Sequence, residues 1–202
     1  MLMNQPYTPG LPPILGTQKE TLALEVLMKG TAVNVLLLED ADATRESVMA
    51  GMKSHGWVHF ACHGGQDFDQ PLVSGLSLHD GRLELLEIMK QQIPSADFAF
   101  LSVSNSSTGD PNLSEEVVHL TAGMLAIGYR GVVGTMWSIS DIHGPEFARD
   151  FYDYLLRENG GERLDSTRAA YALDYASRTL RERLGENETA LLMWVPYMHF
   201  GY

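Results

Sequence analysis

Short apolar runs alternate with amphipathic segments along most of the chain. Ala32–Leu38, Trp57–Cys62, Phe98–Val103 and Gly131–Trp137 are each continuously apolar or nearly so, the pattern of strands buried on both faces. Between them lie helical patterns. Thr17 with Glu20 three residues on reads as a capping box opening a helix with Leu24, Leu27 and Met28 on one face. Thr44 starts a second, with Val48, Met49 and Met52. Ser114 caps a third carrying Val117, Leu120, Met124 and Ile127, and Gly128 ends it. Two more follow, near Pro145–Arg157 and Ser166–Leu184; in the second, Ala169, Leu173, Ala176 and Leu180 share a side. Leu76–Glu84 predicts a hairpin around Asp80-Gly81, leading into a short helix near Leu85–Gln91. The apolar tail Met193–Tyr202 predicts a last strand or an extended cover. Strands of this type alternating with helices imply an α/β fold: a mainly parallel sheet between two helical layers, with ligands beyond the carboxyl ends of the strands.

Residues 1–16 stand apart. They carry no charged side chain and hold Pro6, Pro9, Pro12 and Pro13, so they read as a Pro-rich linker or extended segment ahead of one domain over 17–202. At 202 residues with 45% apolar and 20% charged side chains, that domain can bury a two-sided core. Its single cysteine, Cys62, allows no intrachain disulfide, in keeping with a reducing compartment. The start lacks the cationic and apolar regions of a signal peptide, and no stretch reaches the length of a membrane span, so the expectation is a cytoplasmic protein. The net charge of −12 disfavours nucleic acid and anionic membrane as partners and favours a basic polypeptide segment, unless the acidity serves solubility alone.

Two strand ends carry candidate chemistry. Trp57–Cys62 is followed by His63-Gly64-Gly65, and Phe98–Val103 by Ser104 and the polar residues Asn105, Ser106, Ser107 and Thr108. An imidazole beside a nucleophilic side chain is the layout of His-assisted acyl transfer. Gly64 and Gly65 allow a backbone to come close and leave the Gly64 N–H free as an oxyanion donor. Alternation along the strand puts His59, Ala61 and His63 on one face and Cys62 on the other, so Cys62 reads as a small buried hydrophobe. His59, at mid-strand, reads as a core histidine. In a strand the two rings are ~13 Å apart, too far to share a metal, and no metal or cofactor is expected.

His63 and Ser104 are 41 positions apart, against roughly 50 between His and Cys in caspase-type enzymes. With that spacing, further segments resemble the CHAT domain, a caspase- and separase-like family. They are Thr17–Thr21, Asp42–Glu46, His59–Gly64, Leu76–Leu78, Leu101-Ser102 with Gly109-Asp110, His119–Leu125, Gly134–Asp141, Phe151-Tyr152 and Trp194–Gly201. The resemblance implies a caspase-like three-layer αβα sandwich with a hairpin insertion, and a peptidase cleaving polypeptide through a His–Cys dyad. It implies His63 as general base, Gly64 as oxyanion donor and Asp141 in a pocket for a basic P1 side chain. It also implies an N-terminal repeat or sensor region in a longer parent chain. For Asp141 the plain alternative is a carboxylate favoured near a helix N-terminus.

The family's cysteine position falls on Ser104. A hydroxyl needs a better-oriented base than a thiol does, and no acidic residue near His63 is evidently placed to brace it; Asp67 and Asp69 lie in the next loop. The expected site is therefore inactive as it stands. Ser104 reads as an engineered replacement in a working peptidase, as natural decay to a pseudoprotease that binds peptides or proteins, or as the nucleophile of a serine hydrolase.

Overall fold

The computed structural model describes residues 1–65, 70–105, 116–137, 139 and 141–202. Eight strands form one sheet: β1 (Leu2–Asn4), β2 (Leu37–Glu39), β3 (Trp57–Gly65), β4 (Gly75–Leu78), β5 (Gly81–Glu84), β6 (Phe98–Asn105), β7 (Gly131–Thr135) and β8 (Tyr197–Gly201). The main path is β2-β1-β3-β6-β7-β8, with β4 on β3 and β5 on β4. The pairs β2/β1, β1/β3, β3/β6 and β6/β7 are parallel; β8, β4 and β5 join antiparallel.

Seven α-helices appear among the described residues: α1 (Gly16–Met28), α2 (Arg45–Ser54), α3 (Leu85–Met89), α4 (Glu116–Ile127), α5 (Gly144–Glu158), α6 (Ala169–Leu184) and α7 (Glu188–Trp194). The period-two alternation of the strands sorts their side chains into two cores. Val58, Phe60, Cys62, Leu101 and Val103 meet Val48 and Met52 of α2 and Leu120 and Met124 of α4. Leu2, Phe98, Phe100 and Val133 meet α1, α5 and α6 on the other side, through Leu24, Phe147, Phe151, Tyr152 and Leu180. Each of these large side chains contributes about 1.5–3 kcal/mol on full burial. The result is a three-layer α/β sandwich with a mostly parallel sheet.

The capping reading at Thr44 holds: its side chain accepts from the Ser47 amide, and the Ser47 hydroxyl accepts from the Thr44 amide. The Asp80-Gly81 turn does join β4 to β5. Four readings need correction. Leu2–Asn4 is a strand inside the sheet, so this part of the Pro-rich start is core rather than connection. A three-residue strand held by neighbours on both sides leaves too short a pattern to recognise. The strand expected over Ala32–Leu38 is confined to Leu37–Glu39. Thr17 and Glu20 form no capping box: the N-cap of α1 is Leu15, and the Thr17 hydroxyl donates to the Ile14 carbonyl. The tail does supply the last strand, β8, but the helix before it, α7, capped by Asn187 accepting from the Ala190 amide, is missing from the sequence reading. The proposed Ser114 cap lies outside the described residues. No helix among them is long and apolar enough to cross a membrane.

Candidate active site

β3 and β6 are parallel neighbours, and their register pairs His63 with Ser104 and Gly64 with Asn105. Adjacent strands lie about 4.8 Å apart and paired residues share a face. Two segments 41 positions apart are thereby brought together at the carboxyl end of the sheet. The Ser104 side chain, the loop carrying Asp67 and Asp69, and Ser106–Asp110 lie outside what the structure describes.

His63 is buried, and its Nε2 lies 2.8 Å from the Pro12 carbonyl oxygen. A carbonyl only accepts, so Nε2 carries the proton and Nδ1 is the basic nitrogen. Nδ1 is buried and has no hydrogen-bond partner among the described residues. The Pro-rich segment, whose own sequence shows no chemistry, thus sets the tautomer of the candidate base through its backbone. The glycine pair is not a break after the strand. Both residues belong to β3, and Gly64 is flanked by Asn105 of β6 and Leu76 of β4.

A second polar group lies deeper on the same face. Glu20 of α1 is buried; its Oε1 lies 3.0 Å from His59 Nε2, and its Oε2 accepts from the Ser102 hydroxyl at 2.9 Å. His59 is stacked on Phe100, with the Tyr152 hydroxyl 3.4 Å from Nδ1. Burial, with the Glu20 charge second, holds the Tyr152 phenol well above its ordinary range. His59 is a core histidine, but one tied to a buried carboxylate. The Thr-x-x-Glu pattern reads as a capping box with Glu20, which is why the pair escapes sequence reading.

Glu20 and Ser102 also line a small cavity with Asp141, Ile139, Gly144 and the start of α1. Asp141 is exposed, in the turn before α5, whose N-cap is His143. Glycine is needed at position 16, because a Cβ there would lie 2.6 Å from the Asp141 carbonyl oxygen. This contact clamps the first turn of α1 against the Asp141 backbone.

Cys62 occupies the opposite core and is fully buried. Burial pushes its thiol up to about 12, with a backbone hydrogen bond at Ser77 acting weakly in the other direction. At neutral pH it is a thiol, not a thiolate. Titration of the native protein with a thiol reagent should show no fast-reacting group, and unfolding should release one; a fast native reaction would overturn this placement. Among the described residues no group of three His, Cys, Asp or Glu side chains could hold a metal ion.

The whole architecture is shared with solved structures. The Arg-specific cysteine proteinase gingipain R is 13% identical, with a TM-score of 0.59, over 99% of this chain and 45% of that one. The complex of the RgpB pro- and mature domains from Porphyromonas gingivalis gives 9% identity, a TM-score of 0.58, and coverage of 99% and 46%. The chain therefore spans less than half the length of these structures, and the likeness is one of fold. No curated protein matches the sequence. The CHAT domain profile, however, matches residues 3–202, nearly the whole chain. By that match the chain belongs to the CHAT domain family.

Proposed function

We propose that this domain is a caspase/separase-type endopeptidase site in which His63 and residue 104 form the dyad, inactive as it stands because Ser104 takes the place of the nucleophilic thiol. One observation carries the reading. His63 is held by a backbone carbonyl on Nε2 and keeps a buried Nδ1, unpartnered among the described residues, at the register position of Ser104.

With a thiol at position 104, His63 Nδ1 takes its proton and the sulfur attacks the substrate carbonyl. The Gly64 N–H is the oxyanion donor. The same proton then passes to the leaving amine as the C–N bond breaks, and water hydrolyses the resulting thioester. Pro12 stabilises the imidazolium and fixes the ring, as a carboxylate does in serine enzymes. A hydroxyl is far less acidic than a thiol, and the brace here is a neutral carbonyl. The Ser104 form therefore lacks several kcal/mol of transition-state stabilisation, at ~1.4 kcal/mol per factor of ten.

Asp141 and Glu20 line one small cavity, and the resemblance to the family gives the exposed Asp141 at its edge the recognition of a basic P1 side chain. Asp141 is the exposed carboxylate; Glu20 is engaged by His59 and Ser102. Asp141→Ala should depress cleavage of Arg and Lys peptides several-fold more than that of apolar ones. Equal losses would remove Asp141 from the pocket.

The test is Ser104→Cys assayed on short peptides with Arg or Lys at P1, alone and with His63→Ala. Cleavage by the first and its loss in the second are expected; an inert thiol variant overturns the reading. The hydroxyl itself favours a second reading, a natural pseudoprotease that binds peptides or partner proteins. For that, the unaltered Ser104 protein binds the same peptides while Ser104→Cys does not cleave them.

A further inference from the structure

One cation at the edge of the candidate site has no part in the chemistry above. β4 joins β3 at Gly64 and Gly65, paired with Leu76 and Gly75, while β6 pairs with the other edge of β3. The hairpin therefore extends the sheet on the side of β3 that faces away from Ser104. Leu76 and Leu83 belong to the core under α2 and α4, so Arg82, next to Leu83 in β5, points to the opposite face. His63 and Gly65 share that face, two residues or about 7 Å apart along the strand.

The Arg82 guanidinium lies against Gly65: a Cβ at that glycine would be 2.6 Å from Cζ and 2.9 Å from Nε. Glycine at 65 is what lets the guanidinium lie so close. Arg82 is exposed and forms no ion pair among the described residues, whereas Arg45, Arg157, Arg178, Arg181 and Arg183 each meet a carboxylate. In a chain of net charge −12, Arg82 shares with Arg149 and Arg163 the lack of an ion pair among the described residues, and of these three it is the one set against the Gly65 backbone of β3.

We propose that Arg82 is a substrate-positioning residue that selects an acidic side chain at the first or second residue after the scissile bond. The inference rests on the peptidase reading. Across the end of the sheet the strand order is β6 with Ser104, β3 with His63, and then the hairpin with Arg82, while Asp141, after β7, meets the start of α1 and shares a cavity with Ser102 of β6. A substrate whose P1 side chain lies toward Asp141 has its carbonyl at residue 104 and its leaving amine toward His63. The chain continuing from that amine passes over Gly65, where the planar fork of Arg82 matches a carboxylate.

Peptides with Arg at P1 and Glu, Gln or Lys at the two following positions test this. Ser104→Cys reports cleavage, and the unaltered Ser104 protein reports binding by fluorescence anisotropy. For an exposed pair the expected preference for Glu over Gln is about three- to fivefold, fading at high salt. Arg82→Ala should bring the Glu and Gln peptides to the same rate, and Arg82→Glu should turn the preference toward Lys. Gly65→Ala, which displaces the guanidinium but keeps its charge, should weaken the preference. Cleavage or binding that ignores these charges, or a Glu preference that survives Arg82→Ala, overturns the inference and leaves the peptidase reading in place. Failure of every peptide both to be cleaved and to bind overturns both.

Discussion

His63→Ala in a Ser104→Cys protein is expected to lower kcat/KM for basic-P1 peptides by about 10²–10⁴-fold, the range for loss of a positioned general base. The ring is buried and contributes packing as well as chemistry. The comparison therefore needs a variant that keeps the volume, and His63→Gln serves. An amide of similar size can still donate to the Pro12 carbonyl but cannot take the nucleophile's proton. Both variants should keep a cooperative melt and lose cleavage. Any residual rate should lose the pH dependence that general-base catalysis gives the parent. A His63→Gln protein that cleaves as fast as its Ser104→Cys parent would show that the ring is not the base, whatever its distance from residue 104.

Glu20→Ala should be strongly destabilising. It leaves His59 buried without its carboxylate and the Ser102 hydroxyl without its acceptor. Leaving a buried polar group without its partner costs about 1–3 kcal/mol, and two groups are left so here. For a chain of this size each kcal/mol is worth roughly 2–4 °C in Tm, so a fall of about 4–20 °C is expected in thermal melts. Glu20→Gln, which keeps the shape and a hydrogen-bonding oxygen, should fall less far. The double change Glu20→Leu with His59→Leu should be milder than the two single effects added, because the imidazole and the carboxylate leave together and only the Ser102 and Tyr152 hydroxyls lose a partner. A loss below about 1 kcal/mol for Glu20→Ala would mean that the pair is not buried as placed.

These two residues show where reading a chain stops and geometry begins. His63 was legible because an apolar strand ending on His-Gly-Gly places the imidazole at the sheet's carboxyl end, where parallel α/β folds gather their ligands. Its facing residue was legible for the same reason, a second strand ending 41 positions later on a small polar side chain. Strand alternation also assigned Cys62 to the far core correctly, since the period of two leaves only one choice once His63 faces the site.

The order and type of the strong elements were thus determined by local pattern alone: runs too apolar for any surface, and helices with a single greasy face. What only the tertiary structure decided are the partners that local pattern does not encode. The brace on His63 is the main-chain carbonyl of Pro12, and every residue carries such a carbonyl. Glu20 fits a capping box by its spacing, yet the angle at which α1 crosses the sheet turns its carboxylate to His59 and Ser102. β1 is three residues long, too short for any periodicity, and exists because β2 and β3 offer it hydrogen bonds on both edges. Arg82 became part of the site only through the side of β3 on which the hairpin pairs. In each case the deciding quantity is a distance between segments far apart along the chain, which is fixed when the layers pack and not before.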